Sequence, residues 1–168
     1  MTLLSIGHVW GETQRFVFNS YASSTVTDDQ ENSWSTSGTI GSSELPADTT
    51  LTTASSRGVG MQAANTTITS DDEFSNVTSV RLDYSYNKTS AAAIQVFVGE
   101  TQIGDDCSFS AKQTHTKTNF TSATPLSGAI QIKLKTRSQG TIWIGAVTVA
   151  TSGSNNPSIC LARVKITG

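Results

Sequence analysis

Apolar and polar residues alternate along several short segments of the chain. Residues 80–86 and 130–135 show this period of two most clearly, and the period is typical of a strand with one buried and one solvated face. Residues 94–98 alternate less cleanly, with Phe97 on the second face, and residues 15–18 form a short candidate strand. No window has the 3.6-residue apolar period of a helix. The pattern therefore predicts strands along the chain.

Two further segments and their flanking turns complete this prediction. Residues 141–149 are apolar on both faces, which predicts a central strand, and residues 159–166 are expected to form the last strand. Glycines bound a hairpin-like stretch at residues 99–104. The Ser-Gln-Gly sequence at residues 138–140 separates two strands, so residues 130–149 are expected to form a hairpin.

Residues 19–75 are less regular, with few apolar anchors among Ser, Thr, Gly and acidic residues. We expect short strands there, joined by long loops of the kind that carry binding surfaces. Many short strands with frequent turns predict an all-β, antiparallel β-sandwich that is jelly-roll-like. Residues 1–168 are expected to form one such domain. Residues 1–14 could be an N-terminal arm, and residues 151–168 could add a C-terminal strand.

Composition narrows the class of protein. Ser and Thr make up 50 of 168 residues, charged residues only 14%, and the net charge is -2. A near-neutral charge argues against a nucleic-acid partner, and no apolar run approaches the ~20 residues that span a bilayer. The first residues lack the features of a signal peptide. Hydroxyl-rich surfaces are typical of virion or extracellular, cell-surface proteins, which is the expected localisation.

The second half of the chain contains a series of short sequence motifs in a fixed order. They are Phe-x-x-Val-x-x-Val at residues 74–80, Val-x-Val-Gly at 96–99, Ser-Gly-x-Ile-x-Ile at 127–132, and a run at 141–149 with Trp143 where Tyr is usual. This order resembles β-sandwich, galactose-binding-like surface modules of gut bacteria and their phages. The resemblance implies a non-catalytic module, often associated with glycans and often holding a structural calcium.

Motifs for catalysis are nearly absent. His8 and His115 lie far apart without metal-ligand spacing, and the chain has no nucleophile elbow, phosphate-binding Gly loop or Cys-x-x-Cys. We therefore expect a non-enzymatic structural or display protein of a virion or cell surface, such as a capsid decoration, head-fibre or tail-associated protein. Its partners would be other structural proteins in an oligomer or assembly. One alternative is a glycan-binding adhesion module; another is a small glycoside-acting enzyme, which would need two convergent carboxylates.

Aromatic side chains are the candidate glycan contacts, because the C–H face of a sugar stacks on a ring. The candidates are Trp34, Trp10, Tyr21 and Phe97. Trp34 is preferred because residues 32–35 are otherwise polar, although a lone Trp could instead fill one end of the core. Trp143, Tyr84 and Tyr86 are expected in the core.

Acidic residues are the candidate metal ligands, since calcium takes six to eight oxygens, often from loops. The candidates for calcium are Asp28, Asp29, Asp71, Asp72, Asp105 and Asp106. Their clusters fall in turn-like segments and lack EF-hand spacing. The alternative is that they simply keep a Thr-rich surface hydrated.

Two smaller sets of residues leave alternatives open. Lys133, Lys135 and Arg137 would line the wet face of one strand, where they could meet an acidic partner or only deter edge pairing. Cys107 and Cys160 could pair or could be two small buried side chains.

Overall fold

The structure is a computed structural model that describes residues 11–22, 25–41 and 58–153, with only the backbone described for residues 19–22. The strands are β1 (Thr13–Ala22), β2 (Thr25–Asp28), β3 (Ser33–Ser37), β4 (Val59–Met61), β5 (Thr67–Tyr86), β6 (Ala92–Val98), β7 (Thr101–Gln102), β8 (Cys107–Phe109), β9 (Gln113–Arg137) and β10 (Ile142–Thr151). All their pairings are antiparallel. These residues include no helix long and apolar enough to cross a membrane.

Three strands run from one sheet of the sandwich into the other; the first sheet is built around β10 and β4, and the second contains β2, β3, β6, β7 and β8. β5 pairs with β3 through residues 67–70 and with β10 through residues 77–86. β1 pairs first with β10 and then, beyond a register shift at residues 18–20, with β2. β9 follows β5 along most of its length and pairs with β6 near its C-terminal end. The series β10-β1-β2-β3-β5 therefore closes on itself through the β10–β5 pairing.

The core lies inside this closed sandwich and confirms the predicted faces. Val80, Leu82, Tyr84 and Tyr86 are all buried on one face of β5, where each fully buried aliphatic side chain contributes roughly 1.5–3 kcal/mol. β10 is buried along most of its length, Trp143 included. It is a central strand, as its apolar pattern predicts, because β5 lies on one edge and β1 and β4 share the other.

The hairpin expected at residues 130–149 is wrong. Within the described residues β9 is bonded to β5 and β6, whereas β10 is bonded to β1, β4 and β5. Both edges of β10 are thus occupied, and the link at residues 138–140 crosses between sheets instead of turning within one. The hairpin at residues 99–104 is confirmed, since Val98 pairs with Thr101.

The first half of the chain mixes confirmed and corrected predictions. The expected short strands are present as β2, β3 and β4. Residues 71–73, expected in a turn, instead lie inside the 20-residue strand β5, where its register with β9 shifts. The strand expected at residues 159–166 lies outside the described residues.

Candidate functional site: a cleft between β1, β3 and β5

A cleft forms where β5 passes from one neighbour to the next. Its pairing with β3 ends at Ser70, opposite Trp34, and its pairing with β10 begins at Val77, opposite Thr151. Residues 71–76 have β9 on one edge, while their other edge has no strand partner in the described chain. The first part of β1 and the start of β3 lie across this gap. The switch of β5 between sheets therefore creates the opening.

The cleft has a volume of about 510 Å³, within the ordinary range for small-ligand sites. Its apolar floor consists of Phe16, Trp34, Phe74 and Val149. Polar side chains from four chain segments surround that floor; they are Glu12, Gln14, Gln30, Asn32, Ser33, Ser70, Asp72, Glu73, Ser75 and Thr151. An apolar base with convergent polar groups is the usual composition of a binding site.

Edge-to-face aromatic contacts fix the floor. The ring centroids of Phe16 and Phe74 are 5.6 Å apart at 75°, and those of Phe16 and Trp34 are 5.9 Å apart at 65°. Such pairs contribute roughly 0.5–1.5 kcal/mol beyond area burial. Phe16 and Trp34 are buried, whereas Phe74 is only half-buried. Phe74 is therefore the ring that the cleft presents.

Asp28 organises the turn that forms one wall. Its Oδ1 accepts hydrogen bonds from the backbone N–H groups of Gln30 and Asn32, at 2.9 and 3.0 Å. Its Oδ2 accepts one from Trp34 Nε1, at 2.9 Å. The carboxylate is itself buried, so these charge-assisted bonds form in a medium where they are strong. Asp28 thereby holds Gln30 and Asn32 at the rim and fixes the Trp34 ring beneath them.

The four predicted aromatic contacts do not come together. Trp34 is 1% exposed, so the expectation that it offers a stacking face is corrected: alternation within β3 turns it inward, and it supports the floor from below. Phe97 is half-buried and lies away from the cleft, opposite Gln102 and Gln131 on the second sheet. Trp10 and the side chain of Tyr21 lie outside the described residues.

The six predicted calcium ligands also stay apart. No group of three or more acidic, His or Cys side chains in the described segments is placed to hold a metal ion. Asp28 is used as above, Asp29 accepts from the Val17 N–H, and Asp71 accepts from Ser35 Oγ at 2.6 Å. Asp105 is exposed, and Asp72 lines the cleft. Calcium stays a prediction that this geometry does not favour.

Asp106 belongs to a polar cluster on the second sheet. Its carboxylate accepts hydrogen bonds from Lys135 Nζ and from the side-chain amides of Gln95 and Gln102. The bond from Lys135, followed by those from the two amides, lowers the pKa of Asp106 to about 2. Lys135 is therefore paired within the chain, and the Arg137 guanidinium donates to backbone carbonyls. Two of the three basic residues predicted on this strand thus have partners within the chain, and whether the set meets an acidic partner stays a prediction.

Further polar groups are buried away from the cleft. Asp83 is 2% exposed and bridges Arg15, at 2.7 Å, and Arg81, at 3.2 Å, on the outer face of the first sheet. Tyr84 Oη lies 3.2 Å from Cys107 Sγ, and burial, the largest cause, raises the pKa of this phenol. Cys107 is half-buried, and Cys160 lies outside the described residues.

Sequence reasoning missed most of the cleft. Phe74 belongs to a motif that indicates the fold and not a site, Glu73 belongs to an acidic cluster that the sequence offers for calcium, and Glu12 and Gln14 are not among the predicted site residues. One local signal was available: Phe74 directly follows three acidic residues, a polar setting for a core phenylalanine. The convergence of β1, β3 and β5 has no local signal, because it depends on long-range pairing.

No protein-family model and no curated protein matches the chain. Similar solved structures include a family two carbohydrate esterase from Cellvibrio japonicus, with 7% identity and a TM-score of 0.46 over 85% of this chain and 35% of that one. Another is the Agl-KA catalytic domain, with 10% identity and a TM-score of 0.53 over 90% and 30%. A third is TmCBM61 in complex with beta-1,4-galactotriose, with 14% identity and a TM-score of 0.35 over 71% and 84%.

The chain spans about a third of the length of the first two proteins. The match to the Agl-KA catalytic domain is a likeness of fold. Together with the strand pairings, it is in keeping with the predicted class: the chain is an antiparallel β-sandwich with jelly-roll-like strand order.

Proposed function

We propose that this protein is a non-catalytic, glycan-binding β-sandwich module whose ligand occupies the cleft between β1, β3 and β5. The observation that carries the proposal is the half-buried Phe74 ring, which lies at the base of a cleft rimmed by amide, hydroxyl and carboxylate side chains. A sugar presents both an apolar C–H face and a ring of hydroxyl groups. The cleft offers a complementary surface for each.

The rim matches the hydrogen-bonding needs of sugar hydroxyls. Each hydroxyl can donate one hydrogen bond and accept others, so it is well met by amides, which do both, and by carboxylates, which accept. Asn32 Nδ2 is held by Asp28, and Gln30 Nε2 donates to the Arg15 carbonyl at 2.6 Å. These amides are therefore fixed before a ligand arrives, which lowers the entropy cost of binding.

Substitution of Phe74 tests the proposal most directly. Phe74→Ala should weaken binding to the glycan found on an array by about tenfold, corresponding to ~1.4 kcal/mol, because the stacking face is removed. The matched control is Phe109→Ala: Phe109 is also half-buried against the core but stacks on Tyr84, away from the cleft. Isothermal titration calorimetry of both variants separates lost contact from lost stability. Equal losses in both, or an array with no ligand, would refute the proposed function.

Absence of catalysis is part of the proposal and has its own test. Any glycan bound in the cleft should be recovered intact after prolonged incubation, without new reducing ends or released acyl groups. If the glycan is turned over, and if turnover disappears in Asp72→Asn or Glu73→Gln, the protein is the small glycoside-acting enzyme that the sequence left as an alternative. The display role on a virion is compatible with a glycan-binding module and stays a prediction.

A further inference from the structure

The charge of the cleft points to a particular class of glycan, an inference that rests on the proposed function. Three carboxylates, those of Glu12, Asp72 and Glu73, line the cleft, and among the described residues that line it none is Lys, Arg or His. All three residues are exposed. None has a salt bridge or side-chain hydrogen bond to another described residue. Within the part of the chain that the structure describes, the cleft therefore has three carboxylates and no paired counter-charge.

Three acidic side chains outside the cleft do have partners within the chain. Asp83 is paired with two arginines, Asp106 with Lys135, and Asp28 with four donors. Unpaired carboxylates next to an apolar floor repel one another and repel an acidic ligand. They attract a cation, and the attraction is strengthened by the low-dielectric wall behind them.

A metal ion does not fit this arrangement. The carboxylates come from β5 and from the segment before β1 on the other side of the gap, and they do not form a group that could hold one ion. Charges distributed along a cleft suit a ligand whose own charges are distributed. The aromatic floor and the amides of Gln14 and Asn32 favour a sugar over a basic peptide.

We infer that the cleft binds a glycan with free, protonated amino groups, such as a run of glucosamine units, in preference to neutral or acidic glycans. Each amino group would lie near one carboxylate while the sugar C–H face covers Phe74. Partly exposed ion pairs of this type are weak individually, so the preference arises from several acting together.

The test compares three hexasaccharides with the same β-1,4 backbone: glucosamine, N-acetylglucosamine and glucose. Calorimetry with the full chain at about pH 5, low enough to protonate the sugar amines and above the ordinary carboxyl range of about 4, should show the glucosamine hexamer binding at least about tenfold more tightly than the other two. The preference should shrink as salt rises from 10 to 150 mM, because the Debye length falls from about 30 to about 8 Å.

Charge-neutralising variants locate the effect. Asp72→Asn, Glu73→Gln and Glu12→Gln should each reduce the preference ratio, glucosamine over N-acetylglucosamine, by about two- to fivefold. Glu100→Gln, an exposed change in the β6–β7 turn, should leave the ratio unchanged. All four positions are exposed, so each variant should fold.

The outcomes distinguish this inference from the function beneath it. Binding of neutral or N-acetylated hexamers with equal or higher affinity would overturn the amine preference and leave glycan binding intact. Binding of oligolysine as tightly as the glucosamine hexamer would also overturn it, since the cleft would then recognise charge alone. No binding of any glycan would overturn the proposed function itself.

Discussion

Phe74 and Phe97 are two half-buried phenylalanines on the same sandwich, and their surroundings differ. Phe97 lies on a wide sheet face, with Gln131 opposite it on β9 and Gln102 opposite it on β7. Phe74 lies where β5 has no strand partner on one edge within the described chain, and Phe16 packs against it from the side. One ring lies on a broad surface and the other at the base of a cleft.

The polar groups around the two rings differ more than the rings do. On the sheet face, Gln131 Nε2 donates to Thr69 Oγ1, and Gln95 Nε2 donates to Gln102 Oε1. In the cleft, the side chains of Gln14, Asp72 and Glu73 have no such partners in the part of the chain that the structure describes. Side chains without a partner keep their full hydrogen-bonding capacity for a ligand, and the bonds that fix Gln30 and Asn32 use their amide N–H groups and leave the amide oxygens to accept. The cleft is therefore the better place for recognition, although both regions contain an aromatic ring.

Among the substitutions that test this comparison, the largest effect is expected on stability, at Asp28, which lies beneath the cleft wall. Asp28→Ala should lower the free energy of unfolding by about 3 kcal/mol, because it leaves the buried Trp34 N–H and the turn amides without an acceptor. Urea denaturation measures the loss. A double-mutant cycle with Trp34→Phe checks the cause, since the phenylalanine has no N–H to leave unpaired. An additive cycle would contradict the role assigned to the Asp28–Trp34 bond.

A smaller effect, on affinity and not on folding, should separate the two phenylalanines. Phe97→Ala should bind the ligand with an affinity within about twofold of the unsubstituted protein, against about a tenfold loss for Phe74→Ala. Titration of both variants with the same glycan is the measurement. If Phe97→Ala is the variant that loses binding, the ligand lies on the sheet face, and the cleft assignment is wrong.

The same contrast explains what the sequence could and could not predict. The buried face of β5 follows from a local period of two, and the burial of β10 follows from a run that is apolar on both faces, so Val80, Leu82 and Trp143 were correctly placed in the core. Ser33-Trp34-Ser35 also alternates between polar and apolar residues. This alternation predicts a strand with Trp34 on the buried face, whereas the polarity of the segment suggests a loop.

Sheet switching is not encoded locally. Nothing near residues 138–140 distinguishes a hairpin turn from a link between sheets, because the choice depends on which strands already occupy the edges of β10. The cleft depends on the same long-range pairings. Glu12, Asp72 and Phe74 lie close together because the pairing partner of β5 changes from β3 to β10 along its length. Fold class was therefore predictable from the chain, and the position of the site was not.

The smallest expected effect is at Asp106, the acid of the sheet face. Its pKa of about 2 lies below the ordinary value of 3.8, so its folded state favours the ionised form. Stability from this group is fully present above about pH 4 and is lost as the pH falls towards 2. Asp106→Asn should therefore lower the melting temperature slightly at pH 7, where the carboxylate is ionised, and this deficit should vanish as the pH falls from 4 to 2. The deficit is small because the pair with Lys135 is partly exposed. The dependence of the melting temperature on pH between 4 and 2 is then flatter in the variant. The matched control is Asp105→Asn, an exposed neighbour, which should leave that dependence unchanged. Identical profiles for both variants would mean that the polar cluster around Asp106 does not form in solution, and the satisfied sheet face would lose its contrast with the cleft.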